Sequence, residues 1–275
     1  DDEFEIWGRR LDASTNVIGS QFRISAMGGY GDANYDARDP DIVYNTQTIP
    51  RHYLVVWEGD HNDPGFANDE FEIWGQRVLA SGNMLGSRVR ISRIGPDNDD
   101  TYDALDPAVA YNRLDNQYLV VWEGEAWNEN AFDILGQRLD VDANEVGDDD
   151  FFISHSGDGP NANYDAVNAA VAFDEANEEY FVVWQDDELG AGEEEIWGQR
   201  LDAATGDRIG RNTRLSHMWL DGDADQDGRT PAVSFSKVSN NRSLAVWSGD
   251  HITDNEFEIW AQRFTAGWKN YLPLA

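Results

Sequence analysis

Apolar positions along this chain fall into short runs, and the runs recur. One block reads EFEIWGRR at 3–10, EFEIWGQR at 70–77, AFDILGQR at 131–138, EEIWGQR at 194–200 and EFEIWAQR at 256–263. A second reads YLVVWEG up to Gly59, YLVVWEG up to Gly124, YFVVWQD up to Asp186 and SLAVWSG up to Gly249. Each repeat holds four stretches rich in β-branched and aromatic residues, with period-two alternation that predicts strands. Strand A is DIVYN (41–45), PAVAYN (107–112), AAVAFD (169–174) and PAVSFS (231–236). Strand B is the VVW block and strand C the EIWGQR block. Strand D is typified by QFRIS (21–25) and RVRIS (88–92). Asn, Asp, Gly and Ser separate the runs, as tight turns require. No helical period emerges.

Four antiparallel strands in a unit of about 62 residues suit a β-propeller blade, with the Val-Val-Trp and Ile-Trp pairs packing blade on blade. The expected fold is therefore all-β, a propeller with four blades favoured; five blades or an open array are the alternatives. The expected domain is a single propeller over 1–265 closed by its termini, with 266–275 as a tail. There are four A, B and D strands but five C strands. Ring closure would pair A, B and C of the last repeat with the N-terminal D strand, leaving one C strand surplus. That strand could pair with a second copy of the chain. The repeat pattern resembles that of secreted bacterial β-propeller repeat proteins, which implies an extracellular or cell-surface location.

Charge narrows the function classes. The chain carries 53 Asp and Glu against 20 Lys and Arg, a net −33 that repels phosphate backbones and argues against nucleic-acid partners. No apolar run is long enough to span a membrane. With no cysteine there is no disulfide, thiolate metal site or thiol nucleophile.

The acids recur at fixed places. The loop from strand D to strand A of the fourth repeat holds Asp223, Asp225 and Asp227 followed by Gly228, the DxDxDG pattern in which alternate residues turn oxygens toward a calcium ion. The aligned positions are Asp32, Asn34 and Asp36; Asp99, Thr101 and Asp103; and Asn161, Asn163 and Asp165. Three residues on stand Asp39, Asp106, Asn168 and Thr230. These loops resemble the calcium loops of integrin-alpha-type propeller repeats, although one loop alone has the glycine. The resemblance implies Ca2+ as cofactor. A second series, Asp60, Glu125, Asp187 and Asp250, follows each strand-B Trp by three residues and joins the first on one propeller face as a possible extension of the metal site. A third, Glu5, Glu72, Asp133, Glu195 and Glu258, is followed five residues on by Arg10, Arg77, Arg138, Arg200 and Arg263. These read as structural ion pairs from one strand to a neighbour.

Catalytic signatures are sparse: no nucleophile elbow, no phosphate loop and no zinc-helix motif. The acids repeat in every unit, whereas a catalytic pair would break the repeat. Trp127 and Trp219 do break it, and are candidate ligand-binding aromatics for a protein or carbohydrate partner. The sequence-based expectation is a non-enzymatic, calcium-stabilised binding or assembly module. The alternative is a carbohydrate-active propeller enzyme, a glycoside hydrolase with two carboxylates, or a lectin.

Overall fold

The computed structural model describes residues 3–29, 31–61, 69–96, 99–125, 131–154, 164–188, 192–218, 227–236, 242–250 and 256–265. Among these are 17 strands and no helix. In repeat terms the chain runs C-D, then A-B-C-D three times, then A-B-C. The strands are β1 (Trp7–Leu11) and β2 (Val17–Arg23); β3 (Ala37–Asn45), β4 (His52–Gly59), β5 (Glu72–Leu79) and β6 (Met84–Arg90); β7 (Ala104–Asn112), β8 (Gln117–Gly124), β9 (Asp133–Leu139) and β10 (Glu145–Phe152); β11 (Ala166–Asp174), β12 (Glu179–Asp186), β13 (Glu195–Asp202) and β14 (Arg208–Arg214); and β15 (Gly228–Ser236), β16 (Arg242–Gly249) and β17 (Glu258–Thr265). They form five sheets: β1-β2, β3-β4-β5-β6, β7-β8-β9-β10, β11-β12-β13-β14 and β15-β16-β17.

Strand β2 pairs with β1, not with β17, so the N-terminal hairpin and the last three strands are separate sheets among the described residues. The surplus C strand is therefore no spare: β1 and β17 each belong to a sheet of their own. The B–C register puts Trp57 opposite Trp74, Trp184 opposite Trp197 and Trp247 opposite Trp260. Trp7, the corresponding residue of β1, is 51% exposed against 6% for Trp74; among the described residues no B strand pairs with β1. Beside it lies a cavity of about 620 Å³ lined by Leu11, Ile18, Phe22, Ile42 and Val78.

The chain divides into two compact units, 1–120 with 137–150, and 121–136 with 151–275. In the first, Ile6, Met27, Val55, Trp57, Trp74 and Val78 form a core, with Phe22 and Ile24 packed on it. In the second, Phe181, Val183, Ile196, Leu215, Met218 and Trp247 do the same. Strand B carries apolar side chains on both faces and is buried at all but one residue of each of β4, β8 and β12, as a continuous apolar run requires. Strand D takes the solvated outer position, and its pattern of exposure follows.

The strand-C acids find partners other than those expected. Glu72 pairs with Arg90 and Ser92 of strand D, and Glu195 with Arg214 and Ser216. Glu5 meets Arg23 at 3.3 Å and Ser25. In the third repeat Asp133 accepts from Ser154 at 2.7 Å, and Phe152 stands where the other repeats have Arg. The arginines at the end of strand C do other work. Arg77 reaches Asp142 at 2.6 Å, Arg200 pairs with Glu179, and Arg138 crosses Gly147 of strand D.

Candidate functional site

Strands β3, β11 and β15 each begin with a bulge. The register slips between Arg38 and Asp41, between Val167 and Ala170, and between Arg229 and Ala232. A left-handed residue sits at each aligned place: Asp39 (φ 45), Asp106 (φ 48), Asn168 (φ 56) and Thr230 (φ 49). A bulge frees an amide from the strand ladder, and a buried amide must find another acceptor. That acceptor is the residue after the strand-B Trp of the preceding repeat. The Asp106 amide donates to Glu58 Oε2 at 2.8 Å, Asn168 to Glu123 Oε2 at 2.8 Å and Thr230 to Gln185 Oε1 at 3.2 Å.

This construction brings three acids together in the first unit. Asp39, Glu58 and Asp106 each present an oxygen within 4.8 Å of the others, the one group of His, Cys, Asp or Glu with that spacing among the described residues. Glu58 is 6% exposed, while the two aspartates are open to solvent. Burial pushes the Glu58 carboxyl up to about 7, and the charges of Asp106 and Asp39 add to the effect. The Asp106 amide and the Arg38 guanidinium oppose it. A carboxyl that holds its proton near neutrality beside two others is the equipment of general acid–base chemistry. The same three oxygens are also the described residues best placed to hold a hard cation.

The position loses its charge along the chain. The three aligned residues are Asp39, Glu58 and Asp106, then Asp106, Glu123 and Asn168, then Asn168, Gln185 and Thr230. All three are acids in the first set alone. Asp39 and Asp106 were expected as site residues from the sequence. Glu58 was missed, because it reads as part of the invariant-looking strand-B block. The signal that reveals it is the series Glu58, Glu123, Gln185 and Ser248 at one repeat position.

The other expected residues are placed differently. The last acid of each loop clamps strand C: Asp36 accepts the Phe4 amide at 2.9 Å, Asp103 that of Phe71 at 3.0 Å, Asp165 that of Phe132 at 3.0 Å and Asp227 that of Glu194 at 3.2 Å. The second oxygens of Asp36 and Asp227 bind Arg38 at 2.6 Å and Arg229 at 2.7 Å. The two acidic series do come together, through backbone. The amides of Asp36, Asp165 and Asp227 donate to Asp60 at 2.6 Å, Asp187 at 2.6 Å and Asp250 at 2.5 Å. Burial raises Asp60, Asp103, Asp187 and Asp227, with the backbone donors pulling the other way. Asp32 and Asp99 serve their own turns, accepting the amides of Asn34 at 3.3 Å and Thr101 at 3.2 Å. Glu125 is half-buried at the end of β8. Asp223, Asp225, Asn161, Asn163, Trp127 and Trp219 lie outside the described residues.

No protein-family model matches the chain, and no curated protein matches it. Solved structures do. An N-acetylgalactosamine deacetylase from F. plautii, in complex with blood group B trisaccharide, superposes with a TM-score of 0.53 at 11% identity, over 86% of this chain and 74% of that one. An alpha-L-arabinofuranosidase from Lactobacillus brevis gives a TM-score of 0.47 at 11% identity, over 96% and 84%. An alpha-L-arabinanase from Penicillium chrysogenum complexed with arabinobiose gives 0.47 at 10%, over 87% and 69%. The expectation of a non-enzymatic module is corrected here, because the deacetylase whose fold this chain shares is an enzyme. The likeness supports an all-β propeller, three of whose five described sheets are four-stranded.

Proposed function

We propose that this chain is a carbohydrate-active enzyme that hydrolyses glycosidic bonds at Asp39, Glu58 and Asp106. The observation that carries the proposal is the gathering of three carboxyls at a position that the later repeats progressively neutralise. A fold similar to that of a deacetylase bound to a trisaccharide supports a glycan as the substrate. Each of the five sheets is read as a blade, which makes the five-bladed alternative the working architecture.

In this reading Glu58, protonated near neutral pH, gives its proton to the glycosidic oxygen as the bond to the anomeric carbon breaks. As that bond breaks, the Asp39 or Asp106 carboxylate bonds to the anomeric carbon, because oxygens within 4.8 Å of one another leave no room for an intervening water. A water then gives its proton to Glu58 as its oxygen displaces that carboxylate, so the products are two shorter sugars and both carboxyls return to their starting states. The test is reducing-end release from galacto-, arabino- and xylo-oligosaccharides by the wild type and by Glu58→Gln, Asp39→Asn and Asp106→Asn. The wild type should cleave at least one series, with Glu58→Gln slower by about 10²-fold or more. A wild type inert on the whole panel, or variants as active as the wild type, rejects the proposal.

Calcium in the fourth loop, at Asp223, Asp225 and Asp227, is a separate proposal that rests on spacing. A chelator should lower the melting temperature; an unchanged melt removes calcium from the account.

A further inference from the structure

Beside the three acids lies a second feature that the hydrolytic reading does not use. Arg38 immediately precedes Asp39, and its guanidinium carbon lies 5.5 Å from the centroid of the Phe4 ring and 5.4 Å from that of Phe71. The cation is thus held between two aromatic faces. Asp36 fixes the stack from below, with one oxygen on the Phe4 amide at 2.9 Å and the other on Arg38 at 2.6 Å. The outer ring, Phe4, is 56% exposed.

The stack breaks the repeat at the same place as the acids. Leu105 and Val167 occupy the Arg38 position in the second and third repeats. In the fourth, Arg229 lies over Phe257 at 5.5 Å, but Glu194 replaces the other ring and pairs with the guanidinium. Among the described residues, an arginine between two phenylalanines occurs once, next to the complete acid set. The ring stands half in water on a pinned support, open to a ligand. An aromatic face of that kind suits the C–H face of a sugar ring, and the guanidinium edge supplies donors for hydroxyls.

We infer that Phe4 and Arg38 form a sugar-binding subsite adjoining the Asp39–Glu58–Asp106 site, taking a neutral pyranose or furanose unit beyond the one whose bond is cleaved. The inference rests on the reading of that site as a glycan hydrolase. It makes the enzyme prefer chains over single glycosides. Phe4 and Arg38 are specificity residues here, since they touch a remote unit and not the reacting atoms.

The experiment compares kcat/KM on an aryl monoglycoside with that on oligosaccharides of three to six units from whichever series the wild type cleaves. The variants are Phe4→Ala, Phe4→Trp and Arg38→Lys. Phe4→Ala should lose about threefold to tenfold on the longer chains and stay within twofold on the monoglycoside, while Phe4→Trp keeps or improves the longer-chain rate. Arg38→Lys keeps the charge and loses the planar stack, so it should also fall on chains alone. Equal losses on both substrate lengths, or none, overturn the subsite and leave the hydrolase standing. Direct binding of the same oligosaccharides to Glu58→Gln, followed by calorimetry, separates the two readings further. Weaker binding of chains to the double variant Phe4→Ala/Glu58→Gln than to Glu58→Gln supports the subsite, and undiminished binding opposes it. A wild type that cleaves and binds nothing overturns both.

Discussion

At the scale of single residues, the acids of this chain divide by what they accept. Asp36, Asp103, Asp165 and Asp227 each take a strand-C amide, a buried structural duty that recurs in every repeat. Asp36→Ala should therefore destabilise the first unit by about 1–3 kcal/mol in denaturant unfolding, through an orphaned amide and a released arginine. Asp36→Asn, which keeps the acceptor, should cost less; equal losses would contradict the clamp. Glu58 is different because it stands with Asp39 and Asp106. With its carboxyl raised to about 7, cleavage by a proton-donating Glu58 should decline as pH rises through that value. A rate that still climbs at pH 9 would remove Glu58 from the donor role. The loop acids were legible in the sequence as a series, and their oxygen-rich spacing pointed to metal. Their service to backbone amides was not legible, because a clamp to a residue 32 or 33 positions away leaves no local pattern.

At the scale of elements, the order of strands could be read almost completely from apolar runs and turn residues. The beginnings of strand A could not. They extend back through Ala37, Ala104, Ala166 and Gly228 across a bulge whose charged residues read as loop. That bulge creates the functional position, so the unread residues and the candidate site coincide. Strand D shows the same interplay of glycine and neighbour. Gly147 has φ 85 and faces the Arg138 guanidinium, so an added Cβ meets both backbone strain and an arginine. Gly147→Ala should cost about 1–2 kcal/mol, whereas Gly29→Ala, with open space around it, should be nearly neutral. Equal effects would argue that strand D tolerates either conformation. The pairing of strand-C acids with strand-D arginines is visible in hindsight in the third repeat, where Glu becomes Ala131 and Asp133 as Arg becomes Phe152.

At the scale of the whole molecule, the net −33 is partly a set of carboxyls buried against backbone donors and one another. Glu58 and Asp150, raised by burial to about 7 and about 6, bind protons more tightly folded than unfolded. Their contribution is complete below the unfolded values and is lost as pH rises through the folded ones. The melting temperature should therefore fall from about pH 5 to pH 8, and a melt that rises over that range contradicts the burial of these acids. Fold class was within reach of the sequence because repeats constrain architecture strongly. Activity was not, since the decisive asymmetry is a few residues within a pattern that otherwise repeats. The measurement that tests the central claim most directly is the kcat/KM of Glu58→Gln on two classes of substrate, a dinitrophenyl glycoside and an unactivated oligosaccharide of the same sugar. A leaving group that needs no proton should restore the variant to within about tenfold of the wild type, while the oligosaccharide stays about 10²-fold slower or worse. Equal rates for variant and wild type on both substrates, or equal losses on both, would contradict Glu58 as the proton donor of a glycan-cleaving propeller.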